Sequence, residues 1–325
     1  MSMELELKYL LASPDSNQLP ELLATLGSVT DKGPAALLNA YYDTPDNWFR
    51  RHNMGLRTRQ KNGRFEQTLK LAGQQHGALQ ARPEFNVPAA DIVPVLADFP
   101  GDVWPANTDI ANLQQQLTEI FRTDFIRQSW QLTCEGTLLD VVYDSGEVIA
   151  GDKTELIAEL ELELLSGSVN PLFGVAGYLI GKLPLRTGWL SKAARGYLLA
   201  EKQQLQMPLA EQQGVIANLK ALQCAEALYY RAAGNTANQL AQLPVLEQAG
   251  HYLQALSAEL AALQYGGYSE QSVALARQLE QGVVVFAHPA YNQLLLDLTV
   301  LLLQQSNPLT ISGAVTDATA RQERS

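Results

Sequence analysis

Met3-Glu4-Leu5-Glu6-Leu7-Lys8-Tyr9 alternates charge with bulk. On an extended strand side chains two apart share a face, so Glu4, Glu6 and Lys8 fall on one side and Leu5, Leu7 and Tyr9 on the other. The same split recurs down the first two hundred residues. Arg57 and Arg59 oppose Leu56. Beyond Asn62-Gly63, a dipeptide suited to the two left-handed positions of a type I′ hairpin turn, Glu66, Thr68 and Lys70 oppose Phe65, Leu69 and Leu71. Gln80, Arg82, Glu84 and Asn86 oppose Leu79, Ala81, Pro83 and Phe85, and Asp140 and Asp144 oppose Leu139, Val141 and Tyr143. Last comes a row of acids, Glu155, Glu159, Glu161 and Glu163, against Leu156, Ala158, Leu160, Leu162 and Leu164. Arg127 fits less cleanly, because its same-face neighbours are Phe125 and Ser129.

One such strand is an ordinary half-buried sheet with its charges in water. Six of them, with both signs on one face, are harder to explain in a chain that is only 18% charged. A sheet closed into a barrel with its charged faces inward and its apolar faces under helices accounts for the pattern. Cations crowded into such a lumen repel by roughly 4 kcal/mol per close pair at an effective dielectric of about 20. They need interleaved carboxylates, a bound anion, or both. Clustered carboxylates have the mirror problem, for which hard divalent cations are the usual remedy. The alternation therefore predicts a tunnel that binds metal ions and a multiply charged phosphate compound.

The whole-chain numbers point elsewhere. The 325 residues carry 23 Lys plus Arg against 34 Asp plus Glu, a net charge of −11, which argues against extended nucleic acid, whose phosphates demand a basic footprint. Net charge describes the whole surface, however, whereas binding follows the local field. Residues 1–200 hold 17 of the basic and 24 of the acidic residues, so the ionic material concentrates where the alternation lies. The acidic N-terminus lacks the basic, then apolar, pattern of a signal peptide. Leu294 to Leu303, the longest apolar run, is interrupted by Asp297 and too short for a bilayer. Cys134 and Cys224 are isolated thiols without metal-ligand spacing. These features lead us to expect a cytoplasmic protein with no membrane partner.

Past Gln203 the chain changes character. Leu, Ala and Gln recur at helical spacing, as in Val215-Ile216-Leu219-Leu222 and Leu294-Leu295-Leu298-Leu302. We divide the chain into residues 1–202 and a helical segment, 203–325, that packs on the barrel or mediates self-association with Leu294–Leu303 as its core. On this reading, deleting the segment leaves the chemistry intact. Locally, Thr44-Pro45-Asp46 predicts a capped short helix through Phe49, Ser191 a capped helix from Lys192 to Leu199, and Glu135-Gly136 a turn between strands.

The opening Glu4-x-Glu6-x-Lys8 resembles the ExExK signature of the CYTH superfamily, the triphosphate tunnel metalloenzymes. Six further blocks follow in order: Tyr42-Asp43-Thr44-Pro45, Leu56-Arg57-x-Arg59, Thr68-Leu69-Lys70, Arg82-x-Glu84-x-Asn86, Asp144 before Gly146 with Glu159-Leu160-Glu161-Leu162-Glu163, and Ser191-Lys192-Ala193-Ala194-Arg195-Gly196-Tyr197. The stretches around Arg82 and Lys192 look most like bacterial inorganic triphosphatases with a C-terminal helical domain. The resemblance implies an α+β fold: a closed, antiparallel, eight-stranded β-barrel with a charged lumen and flanking helices, followed by an all-α C-terminal region. It implies hydrolysis of inorganic triphosphate to diphosphate and phosphate with Mg²⁺ or Mn²⁺, two ions taking part. Glu4, Glu6, Asp144 and members of the Glu159, Glu161 and Glu163 row would hold metal, with Glu159 and Glu161 weighted first. Lys8, Arg57, Arg59, Lys70, Arg82, Arg127 and Lys192 would hold phosphate oxygens, while Arg195 would join them or form a structural ion pair. Glu4, Glu6 and Lys8 form the catalytic core of this expectation. The rival readings are a nucleoside or thiamine triphosphatase, a class IV-type adenylyl cyclase, or a non-catalytic polyphosphate-binding module. The four histidines have no ligand spacing, and no P-loop sequence is present.

Overall fold

The computed structural model describes residues 2–208, 213–233 and 239–305. Its ten strands are β1 (Ser2–Leu10), β2 (Ser28–Asp43), β3 (Gly55–Lys61), β4 (Arg64–Lys70), β5 (Gln74–His76), β6 (Leu79–Ala89), β7 (Thr118–Cys134), β8 (Thr137–Ala150), β9 (Lys153–Ser166) and β10 (Arg186–Thr187). They run in the order β10-β1-β9-β8-β7-β2-β3-β4-β6-β5, and β1 also pairs with β6. That pairing closes eight strands into an antiparallel barrel and leaves β5 and β10 as short additions at the seam. The turn residues match their sequence: Asn62 and Gly63 have φ of 50° and 75°, and Glu135 and Gly136 have 49° and 73°, as a two-residue hairpin turn requires.

Alternation sorts side chains as the opening strand suggested. Leu7, Tyr9, Leu139, Val141, Tyr143, Leu160 and Leu162 point outward into a core completed by Leu172, Val175 and Leu179 of a helix at Asn170–Ile180. Ala40, Tyr42, Leu56 and Leu69 face a second outer core containing Phe49, Phe99 and Leu113. The lumen is not charged throughout. Leu37, Tyr41, Phe121, Phe125, Val148, Ile157 and Tyr197 form an apolar cluster inside one end, which explains why Arg127 lacked charged neighbours two residues away. It pairs instead across strands with Asp144.

The helices are α1 (Ser13–Ser16), α2 (Leu19–Ala24), α3 (Trp48–Arg51), α4 (Ile110–Gln116), α5 (Asn170–Ile180), α6 (Lys192–Leu199), α7 (Val215–Ala233), α8 (Gln239–Ala262), α9 (Gly266–Glu280) and α10 (Pro289–Gln305). Helix α6 starts where Ser191 places it, the Ser191 hydroxyl accepting from Ala194 N at 3.1 Å. The expected helix after Thr44 begins later. Residues 45–46 form a turn and α3 starts at Trp48, its first amides taken by Thr44 Oγ1 at 2.9 Å and by the Asp43 carboxylate from Phe49 N at 2.9 Å. Capping oxygens four and six residues upstream replace the adjacent cap that the sequence suggested.

Gly196 of α6 lies flat on Phe121, and a Cβ there would overlap the ring. Phe121 in turn stacks on Tyr41 at 4.5 Å between ring centroids. We expect Gly196→Ala to cost about 1–3 kcal/mol, as overpacking does, and to lift α6 from the barrel. Thermal denaturation checks this, and adding Phe121→Leu should recover part of the loss.

Helices α7 to α10 build their own core from Leu219, Leu222, Leu253, Leu256, Leu294, Leu295 and Leu298 among others. Leu296 of α10 turns the other way, into the outer core of the barrel. Gln223 Nε2 donates to Gly77 O at 2.9 Å, and Asn292 Nδ2 to Leu185 O at 2.8 Å. The Leu294–Leu303 run thus serves two cores rather than one. Both cysteines are buried free thiols. Among the described residues no helix is long and apolar enough to cross a membrane.

Candidate active site

The barrel encloses a cavity of about 650 Å³ lined by Glu4, Glu6 and Lys8 of β1, Arg57 and Arg59 of β3, Lys70 of β4, Arg82 and Glu84 of β6, Arg127 of β7, Glu161 and Glu163 of β9, and Lys192 of α6. Strand pairing brings them together across the seam: Glu4 sits opposite Arg82, Glu6 opposite both Gln80 and Glu163, and Lys8 opposite Glu161. Of the thirteen residues expected here, only Asp144 and Glu159 stop short of the cavity surface, both at 0% exposure.

On the α6 side every charge is paired. Lys192 Nζ reaches Glu159 at 2.5 Å and Glu161 and Asp144 at 2.8 Å each, so three donors meet three carboxylates. Burial alone would push this ammonium down, but Asp144, Glu159 and Glu161 outweigh it and hold the lysine well above its ordinary value. Arg127 grips both Asp144 oxygens at 2.7 Å and Glu161 at 2.8 Å. Arg195 settles as a structural partner: its guanidinium binds Glu155 at 2.7 Å, Glu159 at 2.5 Å and the Leu156 carbonyl, and it does not line the cavity.

On the β1–β6 side the balance fails. Lys70 binds Glu4 at 2.5 Å and Glu84 at 3.2 Å, but among the described residues Glu6 and Glu163 have no ion pair. Burial, then Glu161 and Glu4, push Glu6 up to about 6. Burial, then Glu4, Glu6, Asp140 and Glu84, push Glu163 up to about 8. These are carboxylates short of positive charge.

Three cations facing them, Lys8, Arg59 and Arg82, have no ion pair among the described residues. Lys8 is 2% exposed and makes no direct ion pair among the described residues; burial pulls it below the usual lysine value. Among the described residues the Nε atoms of Arg57 and Arg82 have no hydrogen-bond partner, although for Arg57 burial is outweighed by Tyr41, Glu84 and Glu4, which hold it above its ordinary value. Arg59 donates from Nε to Asn39 Oδ1 at 2.8 Å, and burial, with Arg57 and Arg127 nearby, presses it down to about 9. Because arginine keeps its proton in proteins, that pressure is expressed as affinity for an anion.

Asn39 and Tyr41, which flank this arginine cluster, were not singled out from the sequence. They alternate correctly on β2, but Leu37, Leu38, Ala40 and Tyr42 around them make the strand read as apolar. Arg50 also reaches the cavity, held by Gln203 at 2.9 Å.

A divalent cation is the natural complement of Glu4, Glu6 and Glu163, which offer hard oxygen donors to an ion that prefers them. Among the described residues no three acidic, His or Cys side chains converge as a ready-made cage. The donor chemistry fits such an ion, and the acids are spread along two paired strands.

A closed antiparallel β-tunnel with its ionisable side chains turned inward defines the class of protein. The chain belongs to the CYTH domain family, whose model matches residues 2–197. It is 35% identical over 208 residues to an inorganic triphosphatase of Haemophilus influenzae, a match covering 62% of this chain and 56% of that protein. The alignment thus spans a little over half the relative's length. Among solved structures it resembles a Hippeastrum adenylyl-cyclase-like protein with a dominant triphosphatase activity, at 17% identity and TM-score 0.43 over 62% of this chain and 97% of that one. It also resembles a candidate adenylate cyclase of Bacillus halodurans, at 23% identity and TM-score 0.34 over 50% and 82%.

Proposed function

We propose that the tunnel hydrolyses inorganic triphosphate to diphosphate and phosphate, using Mg²⁺ or Mn²⁺. The observation that carries this reading is the pairing of two deficits in one enclosed space: among the described residues, cations with no ion pair at Lys8, Arg59 and Arg82, and carboxylates with none at Glu6 and Glu163. A short polyanion bound with its metal ions answers both at once. The name of the Haemophilus influenzae relative supports the choice of substrate.

Phosphoryl transfer asks the protein mainly to position the reacting groups and neutralise charge. Arg57, Arg59 and Arg82 would clamp phosphate oxygens with paired N–H donors, and Lys8 would act as a point charge beside them. Glu4, Glu6 and Glu163 would hold metal, which when bound lowers the pKa of an attacking water and offsets phosphate charge. Lys192 has no donor to spare, so a phosphate oxygen reaches it only in exchange for a carboxylate. Glu161 is the exchangeable one, because it alone of the three faces the cavity. Asp144 and Glu159 would then keep Lys192, Arg127 and Arg195 in place, a role different from the metal contacts expected of them. Residues 1–202 would carry this chemistry, with 203–325 as a helical support.

Phosphate release measured on triphosphate, ATP and thiamine triphosphate, with Mg²⁺, Mn²⁺ or EDTA, tests the reading. Turnover should be fastest on triphosphate and vanish in EDTA. Preference for ATP, or production of cyclic AMP, would overturn the substrate; tight binding without turnover would overturn the enzyme.

A further inference from the structure

The paired charges behind the α6 wall continue outside the barrel. Arg231, in the last turn of α7, places Nη1 2.8 Å from Glu155 Oε2. The other oxygen of Glu155 accepts from Arg195 Nε at 2.7 Å, and Arg195 Nη1 donates to Glu159 Oε1 at 2.5 Å. Glu159 Oε2 accepts from Lys192 Nζ at 2.5 Å. Signs alternate at every step, each carboxylate uses its two oxygens on two different cations, and the exposure falls from 29% at Arg231 to 0% at Glu159.

We propose that Arg231 is a positioning residue through which the C-terminal helices set the tunnel wall. It neutralises one oxygen of Glu155, so that Arg195 is shared between Glu155 and Glu159 rather than drawn outward to Glu155 alone. Glu159 thereby keeps one oxygen for Arg195 and one for Lys192, and the lysine ammonium stays at the cavity edge. Without Arg231, Glu155 has a single cation left and pulls on Arg195 more strongly. Tension then passes to Glu159, the one buried carboxylate that both Arg195 and Lys192 share. The inference rests on the reading of Lys192 as a phosphate ligand. It also revises the sequence expectation that the helical segment can be lost without effect on the chemistry.

Arg231→Met keeps most of the aliphatic stem and removes the charge. Phosphate release from triphosphate and calorimetric binding of triphosphate in EDTA are measured beside thermal denaturation, with Arg231→Lys as the rescue. Because partly exposed ion pairs are worth up to about 1 kcal/mol, kcat/KM should fall about three- to fivefold in Arg231→Met and metal-free binding by a similar factor. The melting temperature should fall by no more than about 2–4 °C, the shift that about 1 kcal/mol makes in a larger domain, and Arg231→Lys should restore most of both turnover and binding. Unchanged turnover and binding in Arg231→Met would overturn the proposal, as would a loss confined to thermal stability, or a failure of Arg231→Lys to rescue. A wild-type protein that neither binds nor hydrolyses triphosphate would instead refute the functional reading, an outcome separate from any difference between variants.

Discussion

Lys8→Met should cut phosphate release about a hundredfold or more while leaving the fold intact, whereas Lys192→Met should lose both activity and stability. The two lysines are nearly equally buried, so exposure does not separate them. Their partners do. Lys8 has no direct ion pair among the described residues and sits below its usual value because burial disfavours its charge; replacing it with an apolar chain of similar length removes that cost together with its attractions to Glu159, Glu6 and Glu161. A net change within about 1 kcal/mol is expected. Lys192 is the centre of three direct ion pairs. Its loss leaves Asp144 and Glu161 to Arg127 and Glu159 to Arg195, and breaking such a network from one side costs about 3 kcal/mol. On activity each variant should lose about a hundredfold or more, the scale found when one preorganised donor to a developing charge is removed. Single-turnover phosphate release and thermal melts on both variants read the contrast. Equal melting temperatures would sink the distinction between a ligand lysine and a network lysine.

Much of this architecture was legible because strand alternation is strict. One residue in two faces the lumen, and six segments obeyed that rule closely enough to imply closure. Alternation could not separate Glu159, Glu161 and Glu163, since all three share a face. What separates them is register: β1 sets Glu163 beside Glu6, Glu161 beside Lys8 and Glu159 beside Leu10, and α6 then delivers two cations to Glu159. The sequence reading weighted Glu159 and Glu161 first for metal, and register is what moves our proposal to Glu163. Arg195 stayed undecided for the same reason, because its fate depends on which strand end α6 crosses. Asn39 and Tyr41 were hidden in an apolar run, and Gln223, Arg231 and Asn292, which fasten the C-terminal helices to the barrel, are scattered polar residues in helices where nothing local marks them.

Glu163→Gln should have opposite effects on activity and on stability, with a pH dependence of definite sign. In the folded protein this carboxyl is pushed up to about 8 by burial and by Glu4, Glu6, Asp140 and Glu84, against an ordinary value near 4.5. An acid whose folded pKa is raised favours the fold while protonated. Its contribution is fully present below about pH 4.5 and is lost as pH climbs through 8. At pH 5 the metal-free wild type and the glutamine variant should therefore melt together. At pH 8 to 9 the variant should be the more stable by about 2 kcal/mol, roughly half the full linkage value of 1.36 kcal/mol per pH unit, because Glu4 and Glu6 relax when Glu163 ionises. Mg²⁺ should erase the difference by stabilising the wild type, as a ligand that binds only the native state does, and should raise the melting temperature of Glu163→Gln less. Phosphate release from triphosphate should fall about a hundredfold or more in the variant at every pH. A variant less stable than wild type at pH 8 without metal would show that Glu163 is already compensated, and would remove it from the metal set. Equal stabilisation of both proteins by Mg²⁺ would place the ion elsewhere in the tunnel. An acid that costs the apo protein stability above neutral pH is thus one of those proposed to hold the ion.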